Sequence, residues 1–305
     1  MRPFRFGFQT RGGSAADLRD QARRAEAAGF DVIHTADHLS PGWSPTLPLL
    51  AMAEATTRLR VCPLVINNDF RHPALLAAEY ANLDHLTDGR VELGIGAGHA
   101  FTEYEAMGLQ FDPPKVRKAR LAESVEILRR LLDGETVTFD GEHYHLREVQ
   151  TKRSLQARLP IMTGVNGPVA LAHAARHADI IGLMMLGRTL PDGHSHEVRW
   201  QADRLDATVA HIREQAAGRK LELNALVQVV EITDDREGAL RALLPELESL
   251  SYDDAASTPF LAYGTPDEIA GHLVRCRERW GISYFSVRAI EEFQPVIERL
   301  RAVDA

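Results

Sequence analysis

Apolar residues run along this chain in short blocks of two kinds, one nearly continuous and one spaced at the helical period. RFGFQ (5–9) reads as a strand, and SAADLRDQARRAEAAGF reads as a helix with Ser14 as N-cap and Gly29 as its stop. DVIHTA (31–36) predicts a second buried strand, TLPLLAMAEATT a short helix and LRVCPLVI (59–66) a third strand. A helix with Pro73 in its first turn follows, then a fourth strand RVELGIG (90–96) and a helix carrying Leu121, Val125, Leu128 and Leu132 on one face. TVTFDGEHYHLREV (136–149) alternates around Asp140-Gly141, the signature of a hairpin, and is read as an insertion after the fourth strand-helix unit.

Four more strands are predicted at 159–164, 178–185, 221–233 and 282–289, separated by helical segments near 167–177, 197–217, 236–250 and 266–280. Apolar strands alternating with helices imply parallel pairing with both faces covered. Eight such units close most economically into an α/β (β/α)8 TIM barrel, with a doubly wound open sheet as the alternative. No Pro-, Gly- or Ser-rich linker divides residues 1–305, so one domain is expected.

Composition narrows the function more than the fold. With 45% apolar residues the chain can build a core without staples, and its net charge of -8 carries no basic run of the kind that tracks phosphate backbones. A nucleic-acid partner is not expected. The start, MRPFRFGFQT, lacks the apolar run of a signal peptide, and no stretch is long enough to span a bilayer, so a cytoplasmic protein without membrane contact is expected. Cys62 and Cys276 are the only thiols and form no CxxC, which leaves neither a disulfide framework nor a cysteine-rich zinc site.

In a barrel the active site lies at the carboxyl ends of the strands, so the strand map is also a list of candidates. It contains Gln9, Asp37, His38, Asn67, Asn68, Asp69, Arg71, residues 96–103, 164–167 and 184–188, and Arg288. Asp37 and His38 pair a carboxylate with an imidazole, the side chain suited to proton transfer near neutral pH; a capping Asp beside a backbone-bonded His is the bland reading. Asn67 to Asp69 either cap the following helix or touch a ligand. GIGAGHAFTEYE, with Gly96, Ala97, Gly98, His99, Thr102 and Glu103, lets backbone approach a flat or anionic ligand, though it is not a dinucleotide fingerprint. Gly164, Val165, Asn166 and Gly167 precede a Pro-started helix, an arrangement that serves as a phosphate site or as a plain turn. His194, His196 and Glu197 invite a metal reading, but they fall in a segment with no predicted strand to fix their geometry, and no metal is expected.

Four ordered blocks, AEAAGFDVIHTADHL, LVINNDFRHPALLAAEYANLDHLTDGRVELGIGAG, VTFDGEHYHL and FLAYGTPDEIAGHLVRCRERWGISYFSV, resemble the luciferase-like monooxygenase superfamily. Within it they resemble the deazaflavin (F420)-dependent oxidoreductases typical of actinobacteria, nearly end to end. The resemblance implies coenzyme F420 beside Asp37 and His38, with Trp43 and Gln9 at the substrate pocket and His38, His99 and Glu103 as catalytic candidates. It implies a non-proline cis peptide at or near Leu64-Val65 behind the ring. Asn67, Gly96, Ala97, Gly98 and Thr102 would follow ring and chain, with Gly164, Val165, Asn166, Gly167, Met185, Leu186 and Gly187 at the phosphate-bearing tail.

The chain departs from that pattern in one place. Deazaflavin sugar-phosphate dehydrogenases resembling it have Glu after the glycine run, where this chain has His99, and lysine is nearly absent from the expected barrel mouth. A sugar-phosphate substrate is therefore disfavoured. The expected reaction is hydride transfer between F420 and a small organic molecule; the alternatives are an FMN-dependent monooxygenase, a flavin-binding carrier without turnover and a metal hydrolase using His194 and His196. A homodimer and a separate reductase supplying reduced cofactor are implied by the resemblance, with Trp200 and Trp280 as interface anchors or core residues.

Overall fold

A computed structural model describes residues 1–39, 44–190, 196–247 and 249–304. Its parallel sheet runs through β1 (Arg5–Gln9), β2 (Val32–Thr35), β3 (Arg60–Pro63, resuming at Ile66–Asn67), β4 (Leu93–Gly96), β5 (Ile161–Gly164), β6 (Ile180–Leu183), β7 (Glu222–Leu226) and β8 (Ile282–Val287). The first half of β3 pairs with β2 and the second with β4, while β8 pairs with β1, so the strands form the nearly closed barrel expected from the sequence. The break in β3 is a cis peptide at Leu64-Val65.

Helices α1 (Ala15–Ala27), α2 (Thr46–Glu54), α3 (Pro73–Leu86), α5 (Pro114–Leu132), α6 (Pro168–His177), α7 (Ala202–Gln215), α10 (Pro266–Trp280) and α11 (Gln294–Asp304) form the outer layer, with α4 (Phe101–Ala106), α8 (Arg236–Leu243) and α9 (Tyr252–Ser257) shorter. Local signals start them. Ser14 and Thr265 form capping boxes with Asp17 and Glu268, each worth about 1 kcal/mol, and Pro73 sits where its missing N–H costs nothing. Phe4, just before β1, and the outward-facing Phe6 and Phe8 of β1 pack with Phe30, Phe285 and Phe293 in one aromatic cluster. Each fully buried ring contributes roughly 2–3 kcal/mol.

Three sequence expectations are corrected. The apolar run 221–233 is two strands: β7 ends at Leu226, the Val227 N–H still reaches the Ser286 carbonyl, and the Gln228 N–H turns to the Phe260 carbonyl. Residues Val229–Ile232 then pair in parallel with Leu261–Gly264 outside the barrel. His196–Val198 is a strand, paired antiparallel with Leu186–Thr189, where an unstructured segment was expected. Of the two readings offered for Trp200 and Trp280, burial of both agrees with core residues. The segment near 236–250 is α8 and a 3-10 turn at Leu244–Glu246.

The barrel interior is layered. Its floor, at the amino ends of the strands, is an ionic plug in which Arg5 bridges Glu92 and Glu222 and Arg60 also holds Glu92 at 2.8 Å. Burial alone would raise the Glu92 carboxyl, but Arg5 and Arg60 overcome it and hold it low; burial wins at Glu222, which is raised. Above lies His34, fully buried, its Nδ1 3.1 Å from the Cys62 carbonyl and its Nε2 3.1 Å from both the Tyr284 and Ser286 hydroxyls. Gly7 leaves the space that His34 fills. The hairpin Val137–Asp140 and His145–Val149 follows α5, where the insertion was expected.

Candidate active site

Three residues past β2, the His38 Nδ1 lies 2.7 Å from the Glu103 Oε1 on α4. The Glu103 side chain is 10% exposed and that of His38 34%, so the pair is recessed yet reaches the open mouth. His99 stands edge-on to His38 with ring centroids 5.5 Å apart, and His196 lies 4.9 Å beyond His99. The mouth thus holds a row of three imidazoles ending on a carboxylate. Among the described residues no group of three or more His, Cys, Asp or Glu is arranged to hold a metal.

Asp37, adjacent to His38, is engaged within the protein. Arg71 clamps its two oxygens at 2.5 and 2.9 Å and the Asn67 backbone N–H donates to it at 2.8 Å, which fastens the end of β2 to the far side of the β3 break. Asn67 caps a short 3-10 turn: its Oδ1 accepts from the Asp69 N–H at 3.1 Å and from the Tyr104 hydroxyl at 3.1 Å. Asn68 donates to the Tyr144 hydroxyl, tying the hairpin to the mouth.

The glycines near the break serve the bulge first. A Cβ on Gly94 would collide with the Pro63 carbonyl oxygen, one on Gly96 would come within 2.8 Å of a Val65 methyl, and one on Gly164 within 3.4 Å of the same side chain. Val65 itself is half-buried, facing the mouth, whereas Leu64 is buried. Gly98, at φ +73°, leaves room for the Tyr104 hydroxyl and the Asn67 amide, and Arg117 draws in the carbonyls of Ala97 and Gly98. Thr102 is exposed on α4.

A second cluster surrounds the loop after β5. Gly167, at φ +88°, is the N-cap of α6 and has no side chain to cap it. The Lys118 Nζ donates to the Asn166 carbonyl at 2.7 Å, and burial together with the neighbouring charges of Arg117 and Arg199 pushes this ammonium below its ordinary range. A helix N-terminus with a lysine ammonium beside it is electrostatically prepared for an anion. Val165 is buried beneath the loop. Met185, at φ +47°, is also buried; Leu186 and Gly187 begin the ribbon strand, with Gly187 against Glu197 and Arg199.

Gln9 lies at the end of β1 with its amide between the Leu64 carbonyl and Arg288. Trp43 and His194 lie outside the described residues. Sequence reasoning missed Lys118, Arg117, Tyr104 and the place of His196. Lys118 and Arg117 sit on a helix whose apolar stripe drew attention to its core face, and lysine is present at the site despite its scarcity in the chain.

The chain compares with known proteins over nearly its whole length. A family model for luciferase-like monooxygenase matches residues 2–284. The F420-dependent glucose-6-phosphate dehydrogenase of Nakamurella multipartita is 32% identical over 303 residues, covering 92% of this chain and 84% of that enzyme. Against several other curated relatives the chain aligns over about half of their length. An F420-dependent secondary alcohol dehydrogenase solved with an F420-acetone adduct superposes with TM-score 0.77 at 20% identity, covering 98% of this chain and 100% of that one. The monooxygenase RslO1 from Streptomyces bottropensis superposes at 0.73 with 23% identity, covering 98% of each chain. Likenesses at such identities establish the fold alone, and they span enzymes of different reaction classes. With the matched residues running from the first strand into β8, the chain belongs to the luciferase-like monooxygenase family.

Proposed function

We propose that this protein is an oxidoreductase that transfers a hydride between coenzyme F420 and a small organic substrate. The relative named for F420 that aligns over nine-tenths of this chain supports the cofactor. The single geometric observation that carries the chemistry is the His38-Glu103 contact at the barrel mouth.

The residues present fit such a cofactor. The N-terminus of α6, with Gly164 to Gly167 and Lys118 beside it and Arg199 acting on that ammonium, suits a phosphate-bearing tail, and Val65 with the adjoining glycines offers a flat wall for a ring. Bound there, the deazaflavin supplies a carbon that takes or gives a hydride. Glu103 accepts the Nδ1–H of His38 and so holds the tautomer whose Nε2 carries the lone pair. That nitrogen takes the hydroxyl proton when an alcohol is oxidised and returns one in the reverse direction, and Glu103 stabilises the imidazolium formed. His99 and His196 extend the proton path outward. Asp37 and Asn67 act through the β3 bulge, holding the wall in place.

Glucose 6-phosphate is the first substrate to test because the relatives carry its name. A substrate other than a sugar phosphate is favoured, because His99 stands where the resemblance implies Glu. Among the described residues no helix is long and apolar enough to cross a membrane. A single working unit over 1–305, a cytoplasmic setting, a homodimer and a separate reductase supplying reduced cofactor complete the proposal.

Titration of the purified protein with F420 and, separately, with FMN, each followed by fluorescence quenching, tests the reading. Tight binding of F420 alone is expected. Preference for FMN would turn the assignment to an oxygen-using monooxygenase, and binding of neither would overturn both.

A further inference from the structure

We infer that Arg288 is a substrate-recognition residue that receives the carboxylate of a small organic acid; this rests on the hydride-transfer reading for what is then done to that acid. Arg288 follows β8 directly, so it stands at the carboxyl end of the barrel between the ends of β1 and β7. Its Nε donates to the Gln9 Oε1 at 2.7 Å and its Nη1 to the Gln228 Oε1 at 3.1 Å.

Both partners are neutral. Among the described residues no carboxylate pairs with Arg288, whereas Arg5, Arg60, Arg71 and Arg120 each have one, and Arg90 and Arg117, which also lack one, are turned onto backbone carbonyls. Burial and the nearby charge of Arg11 both work against its positive charge, and no acid offsets them. A partly desolvated cation held by two amides and no counter-ion is a poor structural strut and a good anion receptor.

The amides also define the shape of the anion. An arginine has only donors, so the oxygens of Gln9 and Gln228 must face it, and their nitrogens turn to the backbone carbonyls of Leu64 at 3.4 Å and Leu226 at 3.2 Å. Each amide spends one of its two N–H groups on that carbonyl and turns its oxygen, not its nitrogen, to the guanidinium. The charged donors that remain are the guanidinium N–H groups not taken by Gln9 or Gln228, including both on Nη2. A planar carboxylate is matched by a guanidinium edge alone, whereas a phosphate monoester brings a third oxygen toward amide oxygens that repel it. Gln9 further ties this receptor to the Leu64 carbonyl at the β3 bulge, so an acid held by Arg288 lies one side chain from the wall proposed for the cofactor ring.

The test uses propanoate, propanamide and propyl phosphate as probes, with binding read by ligand-observed NMR, beside F420 quenching titrations on the same samples. Wild-type protein is expected to bind propanoate at least tenfold more tightly than propanamide. Arg288→Gln should erase that preference, Arg288→Lys should keep part of it, and Gln228→Glu should erase it by giving the unaltered guanidinium an internal counter-ion. F420 affinity should stay within about threefold in each, and matching circular dichroism would show that the variants fold. Equal binding of propanoate and propanamide, a preference that survives Arg288→Gln, or Arg288-dependent binding of propyl phosphate alone would overturn the inference. Arg288-dependent propanoate binding by a wild-type protein that does not bind F420 would support the acid site while overturning the cofactor reading.

Discussion

His38 and Glu103 are 65 residues apart in sequence and meet at 2.7 Å, one contributed by the segment after β2 and the other by the short helix after β4. Replacing Glu103 with Gln keeps an acceptor near Nδ1 but removes the charge that stabilises the imidazolium. Turnover should fall about 10- to 100-fold, and His38→Ala should lower it by about 100-fold or more. Because the two act as one unit, the double variant should be little worse than His38→Ala alone. Steady-state rates test this, with F420 affinity expected to remain within about tenfold throughout.

Lys118 reports on the other end of the proposed cofactor. Lys118→Glu places a negative charge beside the N-terminus of α6, and F420 affinity should weaken by about 30-fold, or about 2 kcal/mol. Binding of the deazaflavin fragment without its phosphate tail should hardly change. Equal losses for both ligands would move the tail elsewhere.

Two glycine substitutions should have opposite signs. Gly94→Ala drives a methyl into the Pro63 carbonyl, backbone that cannot step aside, and should lower stability by about 1–3 kcal/mol or more. Gly271, within α10, has only the tip of Arg275 near the space a methyl would take, 3.5 Å away, so Gly271→Ala should raise stability by about 0.5–1 kcal/mol through helix propensity. Urea unfolding of the two variants beside wild type measures both.

Buried histidines set the acid limb of stability. Burial pushes the His34 and His272 imidazoles down to about 4 in the fold, while the unfolded chain takes up protons near 6.5. The unfolded state therefore binds more protons between those values, and stability should fall as pH drops from about 6.5 to 4, then cease to fall on their account. Each contributes a slope of up to about 1.4 kcal/mol per pH unit. His34→Asn should reduce the slope by about one group's share in urea titrations across that range; an unchanged slope would show that His34 takes up its proton alike in the native and unfolded protein.

The eight barrel strands were legible because each is a short apolar block with no competing reading, and helix starts were legible where Ser14 and Pro73 announce them. The exit of 227–232 from the barrel was not, because Val229 and Val230 are as apolar as the strand before them. What redirects the chain is the Phe260 carbonyl, a non-local partner with no local signal. The candidate residues at strand ends were nameable one by one, yet their company was not: His196 was set aside as part of an unanchored segment, and the antiparallel ribbon that sets it beside His99 depends on pairing across residues 186–198. The glycine run was read as an opening to a ligand, when its first demand is room for Pro63 and Val65.

The ionic floor of Arg5, Arg60, Glu92 and Glu222 leaves the barrel with a blind end. With that end packed and His34 filling the space above it, a cofactor and a substrate would share one approach, from the carboxyl ends of the strands where His38, Glu103 and Arg288 stand.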